Sequence, residues 1–314
     1  MLLLSNQALL TEVLWRLRNV RRLGEAISPP WEYACGASAL SVFACLQERG
    51  YAREATVAES LAASSPLAQL KAVALEMGLK TSGSKQKLAD AILAARPGFP
   101  CPPGSFVVLS SQGATLLEER MEQRAADERE LRRLASCALG SGHLREALAL
   151  VHDYKARHSV EFLMPANPLA VGVPDAHRLE DAGWILETSH EILDELDPES
   201  AERARVEAIL SVFGLAHSAE HSRNPGGRFH SAVELSLTLE LSARYVREVR
   251  AAQAEWGAGR VSVEFLSFPG DQGCPAGRKM ARRKWPSIPI PPLPSPDCSR
   301  ADGCSCAWTL HIDY

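Results

Sequence analysis

Clusters of proline cut this chain into pieces before any other signal acts. Pro29-Pro30, Pro97 to Pro103, Pro165 to Pro174 and Pro286 to Pro296 each interrupt regular structure, because proline lacks the backbone N–H and crowds the preceding turn. Between the breaks, apolar residues recur at helical spacing and only 6% of residues are aromatic. A chain written this way favours short helices over a large sheet. The spacing predicts one helix over about 6–26, with Leu9, Leu10, Val13, Leu14, Leu17 and Val20 on one side, stopped by Ser28-Pro29-Pro30. It predicts another over about 34–49, closed by Gly50, and a short strand from Tyr51 to Val57.

Residues 66–93 carry the clearest functional signal. Ser65 is a candidate N-cap and Pro66 suits a first helical turn. Leu67, Leu70, Val73, Ala74 and Met77 then recur at helical spacing, and Gly78 is placed to end the helix. Thr81-Ser82-Gly83-Ser84 makes a polar turn before a second helix whose inner face holds Leu88, Ile92 and Leu93. Over 66–97 there are five basic side chains against two acidic ones, in a chain of net charge −4. The start of the second helix offers unpaired amides and a positive dipole end beside Lys85 and Lys87, an arrangement that suits phosphate.

The same residues resemble the SAP motif, a helix-turn-helix-like DNA-binding module. The resemblance rests on Leu67-x-x-Leu70-Lys71, the Met77-Gly78-Leu79 corner, Ser82-Gly83-x-Lys85 and Leu88. Ser84 stands where a second basic residue is common in that motif, and Ala91 where an arginine often sits. What the resemblance implies is DNA contact through Lys71, Lys80, Ser82, Gly83, Ser84, Lys85 and Lys87, gripping phosphates without reading bases.

The flanking text suggests what holds this hairpin. Ser105 to Gly113 reads as a strand, a Leu109-Ser110-x-x-Gly113 turn and a helix start, similar to the second wing strand and closing helix of winged-helix domains. Leu46-Gln47-Glu48-Arg49-Gly50-Tyr51 resembles the helix end and first wing strand. One economical arrangement is a winged-helix-like unit with the SAP-like hairpin inserted at its wing.

Beyond it, residues from about 114 to 158 read as helix, with a densely charged stretch from Glu118 to Glu130 and helices at 134–139 and 144–154. Ala138 to Leu148 is similar to one tetratricopeptide-like turn, without a 34-residue recurrence. Helices over 182–196, 199–219 and 229–256 follow, the last with Val233, Leu237, Leu241, Tyr245 and Val249 on its expected core face, and then a strand over 261–268. The expected fold is therefore mainly α and multidomain. It comprises an N-terminal helical region (1–60), the hairpin (61–97), a wing strand and linking helix (98–128), an α-helical body (129–268) that can dock a protein partner, and a Pro/Cys-rich tail (269–314).

In that tail, Cys274, Cys298, Cys304 and Cys306 supply four thiolates suited to tetrahedral zinc, with His311 as a spare donor. Free thiols or a disulfide are the other readings of the same spacing. Arg278, Lys279, Arg282, Arg283 and Lys284 beside Trp285 form a second basic stretch. His217-Ser218-Ala219-Glu220-His221 has the His-x-x-Glu-His spacing of inverted zinc proteases, which makes a metallohydrolase the enzymatic alternative. Neither a Walker-type loop nor a Gly-x-Ser-x-Gly elbow is present, so the expectation is a non-enzymatic DNA-binding scaffold or accessory. A phage-type structural accessory without DNA binding is the non-enzymatic alternative. No run suits a membrane span, and Cys35, Cys45, Cys101 and Cys137 read as thiols of a reducing cytoplasm.

Overall fold

The computed structural model describes residues 3, 5–100, 103–160, 174–188, 193–194, 196–216, 232–266, 284–285 and 307–313. Twelve α-helices and six short strands occur among them, so the protein is mainly α as expected. It resolves into two compact units: residues 1–130 with 154–171, and residues 131–153 with 172–314.

In the first unit, Asn6 Oδ1 accepts the Leu9 amide at 2.9 Å and starts α1, Gln7–Leu17. Its face of Leu9, Val13, Leu14 and Leu17 enters the core. The single helix expected to residue 26 does not form. Leu23 would fall off that buried stripe if the helix continued, and the chain turns so that Leu23, Ala26 and Ile27 are buried instead. The turn makes β1, Arg21–Arg22, and a short α2, Leu23–Ala26. Pro29-Pro30 then begins a helix as well as ending one: the prolines occupy the first positions of α3, Pro29–Cys35, which Gly36 terminates at φ 64°. Ser38 caps α4, Ala39–Glu48, so the helix expected over 34–49 is broken at that glycine.

β2, Ala52–Glu54, is paired antiparallel to β3, Phe106–Leu109, and β3 to β1, giving the sheet order β1-β3-β2. Leu14, Leu17, Ile27, Val42 and Leu46 share one buried core with Val107 of β3. A segment of the chain from Ala55 to Ser105 is looped out between β2 and β3. The turn after β3 is fastened by Ser110, whose amide donates to the Tyr51 carbonyl at 3.0 Å and whose Oγ donates to the Gly50 carbonyl and accepts the Gly113 amide. Gly113 packs so tightly on Tyr51 that a Cβ there would overlap the Tyr51 carbonyl.

Helix α8, Ser111–Gly140, is continuous where the spacing suggests two pieces. In the first unit it is tied to α1 by Arg120 donating to Gln7 at 2.7 Å and Arg124 pairing with Glu12 at 3.2 Å. The end of α9, Leu144–His158, is held to it by His158 Nε2 at 2.8 Å from Asp127.

The second unit contains α10 (Asp175–Glu187), α11 (Pro198–Val212) and α12 (Ala232–Trp256). α10 starts seven residues earlier than the apolar pattern places it. The buried face of α12 is Leu235, Leu239, Ala243, Val246 and Val249, while Leu237 and Leu241 are exposed. Both stripes have helical spacing, and periodicity alone cannot choose between two apolar sides of one helix. Two sheltered ion pairs brace this unit, Arg132–Glu207 at 2.7 Å and Arg247–Asp181 at 2.8 Å. β4, Val261–Leu266, pairs with β5, Lys284–Trp285, and β6, Ala307–Ile312. Two stretches of the expected tail therefore pair with β4 in a sheet, where Val261, Val263 and Trp308 pack on Val249.

Candidate nucleic-acid interface

The segment looped out of the first sheet is a three-helix insertion: α5, Val57–Ser64, α6, Leu67–Glu76, and α7, Lys85–Ala95. The last two are the helices that the spacing predicts; the first replaces the end of an expected strand. Thr56 and Glu59 form a reciprocal capping box that starts α5. Glu59 also holds Arg53 of β2 through two 2.7 Å bonds, so the same carboxylate joins strand to insertion. That guanidinium draws the Glu59 carboxyl down to about 2. Ser65 does not cap α6; it ends α5, is buried, and leaves Pro66 at the N-cap position.

Leu61, Leu70, Ala74, Leu88, Ala89 and Ile92 form the small core these helices share. Gly78, at φ 70°, closes α6: its amide donates to Leu75 and the Leu79 amide to Ala74 at 2.8 Å, after which Leu79 packs on the core. Thr81 to Ser84 then crosses the surface, with Ser82, Gly83 and Ser84 exposed. Of the candidate caps, Ser84 is used, its Oγ accepting the Lys87 amide at 3.3 Å. The amides of Lys85 and Gln86 precede the first intrahelical bond, which Leu88 makes to Ser84.

Lys71, Lys80, Lys85 and Lys87 are all exposed, and none is ion-paired among the described residues. The structure brings Lys80, Ser82, Gly83, Ser84, Lys85 and Lys87 into one continuous corner, while Lys71 lies along α6. Lys85 and Lys87 are two positions apart, about 200° around the helix. They straddle the start of α7 instead of sharing a face, so they suit two neighbouring phosphates better than one.

The helix that a winged-helix arrangement would send into a groove is ill suited to it. Outward from α4 stand Leu40, Ser41, Ala44, Gln47 and Glu48, and no lysine or arginine lies between Ala39 and Glu48. Spacing and motif also miss a group of arginines at the end of α1 and in β1, whose only signal is their closeness in the chain. Cys274, Cys298, Cys304 and Cys306 lie outside the described residues, as do His217, Glu220, His221 and Arg278 to Arg283. His311 is in β6, 3.0 Å from Asp313. Among the described residues no three His, Cys, Asp or Glu side chains gather as a metal site, and no helix is long and apolar enough to cross a membrane.

Comparison with known proteins finds no family model, no curated protein and no solved structure that matches this chain.

Proposed function

We propose that the insertion binds DNA through its phosphate backbone, as the SAP resemblance implies, and that the protein acts as a non-enzymatic DNA-binding scaffold or accessory. The observation that carries this reading is the corner from Lys80 to Lys87: exposed, basic, free of acidic partners and set at the start of an 11-residue helix. Amides of Lys85 and Gln86 and the positive end of α7 favour an anion there. Lys85 and Lys87 on either side supply the charge, with Lys80 in the turn and Lys71 on α6 extending it. Such contacts position a protein on a duplex without specifying sequence, so binding is modest and strongly salt-dependent.

Replacing Lys85 and Lys87 together with Glu removes the charges at an exposed turn and spares the core of Leu88, Ala89 and Ile92. The expected result is loss of duplex binding in a gel-shift assay with an unchanged thermal unfolding curve. Undiminished affinity would leave the insertion a purely architectural element.

A further inference from the structure

Four arginines crowd the seam between the end of α1 and β1: Arg16, Arg18, Arg21 and Arg22. Arg16 is engaged inward, donating to the carbonyls of Ala26 at 2.7 Å and Glu25 at 3.3 Å, with Trp31 under its guanidinium. Burial, and then the charge of Arg21, lower the Arg16 pKa. Arg18, Arg21 and Arg22 have no carboxylate partner among the described residues. Arg18 lies 4.1 Å over the Trp15 ring and Arg22 5.7 Å over the Phe106 ring, so both exposed heads are held in place by aromatic faces. Arg18 and Arg22 are thus exposed, oriented cations with no neutralising carboxylate among the described residues, in a chain whose net charge is −4. A surface left this way suits a polyanion.

The topology places that surface at the root of the insertion. Arg22 is opposite Phe106 in the β1–β3 pair. The Phe106 carbonyl accepts the Ala55 amide at 2.9 Å, and the Leu23 amide donates to Ser105 at 3.0 Å. Both ends of the looped-out segment therefore meet the strand that Arg22 flanks.

We propose that Arg18 and Arg22 form a second contact with the phosphodiester backbone of the duplex held by the insertion. This rests on the DNA-binding reading of the insertion. Guanidinium forks engage phosphate oxygens in pairs, and stacking on Trp15 and Phe106 leaves less side-chain freedom to lose on binding.

The test is fluorescence anisotropy of a labelled duplex with the full chain, between about 50 and 200 mM salt. R18Q/R22Q is expected to weaken binding about tenfold or more at the low-salt end and to flatten the slope of log K against log salt by about two, near 0.9 for each phosphate no longer neutralised. R18K/R22K, which keeps the charge but not the fork, is expected to restore the slope and part of the affinity. If R18Q/R22Q keeps wild-type affinity and slope while the Lys85/Lys87 variant loses binding, the second contact is overturned and the insertion reading stands. If R18Q/R22Q loses binding while the Lys85/Lys87 variant keeps it, the arginine surface stands and the insertion reading fails. Weaker binding accompanied by a lowered melting temperature and not rescued by lysine assigns the pair a structural role and overturns the proposal.

Discussion

Gly113 shows how much one residue can decide. Its backbone sits against the Tyr51 carbonyl where no Cβ fits, while Ser110 bonds the same turn to both Gly50 and Tyr51. Gly113→Ala must push α8 away from the end of β2, an overpacking cost of about 1–3 kcal/mol. Denaturant unfolding should show that loss in full, and an unchanged midpoint would mean the contact yields freely. The Leu109-Ser110-x-x-Gly113 pattern is readable from sequence as a turn. Its reason is not, since the obstructing carbonyl belongs to a residue far back in the chain. The lysines of the insertion are readable because exposure and charge there are local properties. Arg18 and Arg22 are not, because the rings beneath them include Phe106, which only strand pairing brings near.

At the level of elements, α6, Gly78 and α7 emerge as their spacing predicts, whereas α5 begins at Val57, where the expected strand ends, and is not anticipated. Thr56-x-x-Glu59 is a legible start signal, but the apolar residues before it are compatible with either structure. The pairing of Arg53 with Glu59 ties β2 to α5 and makes that connection sensitive to acid. The folded Glu59 carboxyl lies at about 2, below its ordinary 4.5, so its stabilisation is complete above that ordinary value and fades as pH falls toward 2. Arg53 is 44% exposed, which limits the effect to below about 1 kcal/mol. Glu59→Gln keeps one accepting oxygen, able to take the Thr56 amide, and removes the charge together with one of the two bonds to Arg53. The stability gap between wild type and Glu59→Gln should be present at neutral pH and close near pH 2–3, and a gap independent of pH would show that charge is not what joins the two elements. In α12 the reverse holds: helix type and length are legible, but the buried stripe is not, because Leu237 and Leu241 mimic the spacing of Leu235 and Leu239.

For the molecule as a whole, 34 basic residues face 38 acidic ones, yet residues 66–97 carry a net positive charge. An acidic chain whose positive charge is gathered in a few local patches is expected to hold nucleic acid locally and not to be coated by it. Lysine acetylation followed by mass spectrometry tests this directly. Bound duplex should slow modification of Lys80, Lys85 and Lys87 several-fold and leave Lys155 on α9 unaffected, and uniform protection of every lysine would contradict local binding. The division into two units is only partly legible, because the first unit includes residues 154–171 and the second takes up the strands at 284–285 and 307–312. Such returns depend on pairings distant in sequence, which no local pattern records.

The looped-out helices leave β2 and come back to β3 at neighbouring rungs of one antiparallel ladder, with Glu54 opposite Val107 and Ala55 bonded to Phe106. A segment whose two ends are already clasped behaves as a cassette: the scaffold beneath requires only that those ends be joined. The same scaffold could therefore accept a tight turn or a different cargo of helices at that point, and the cassette could be carried on another hairpin, without a change in the register of either host.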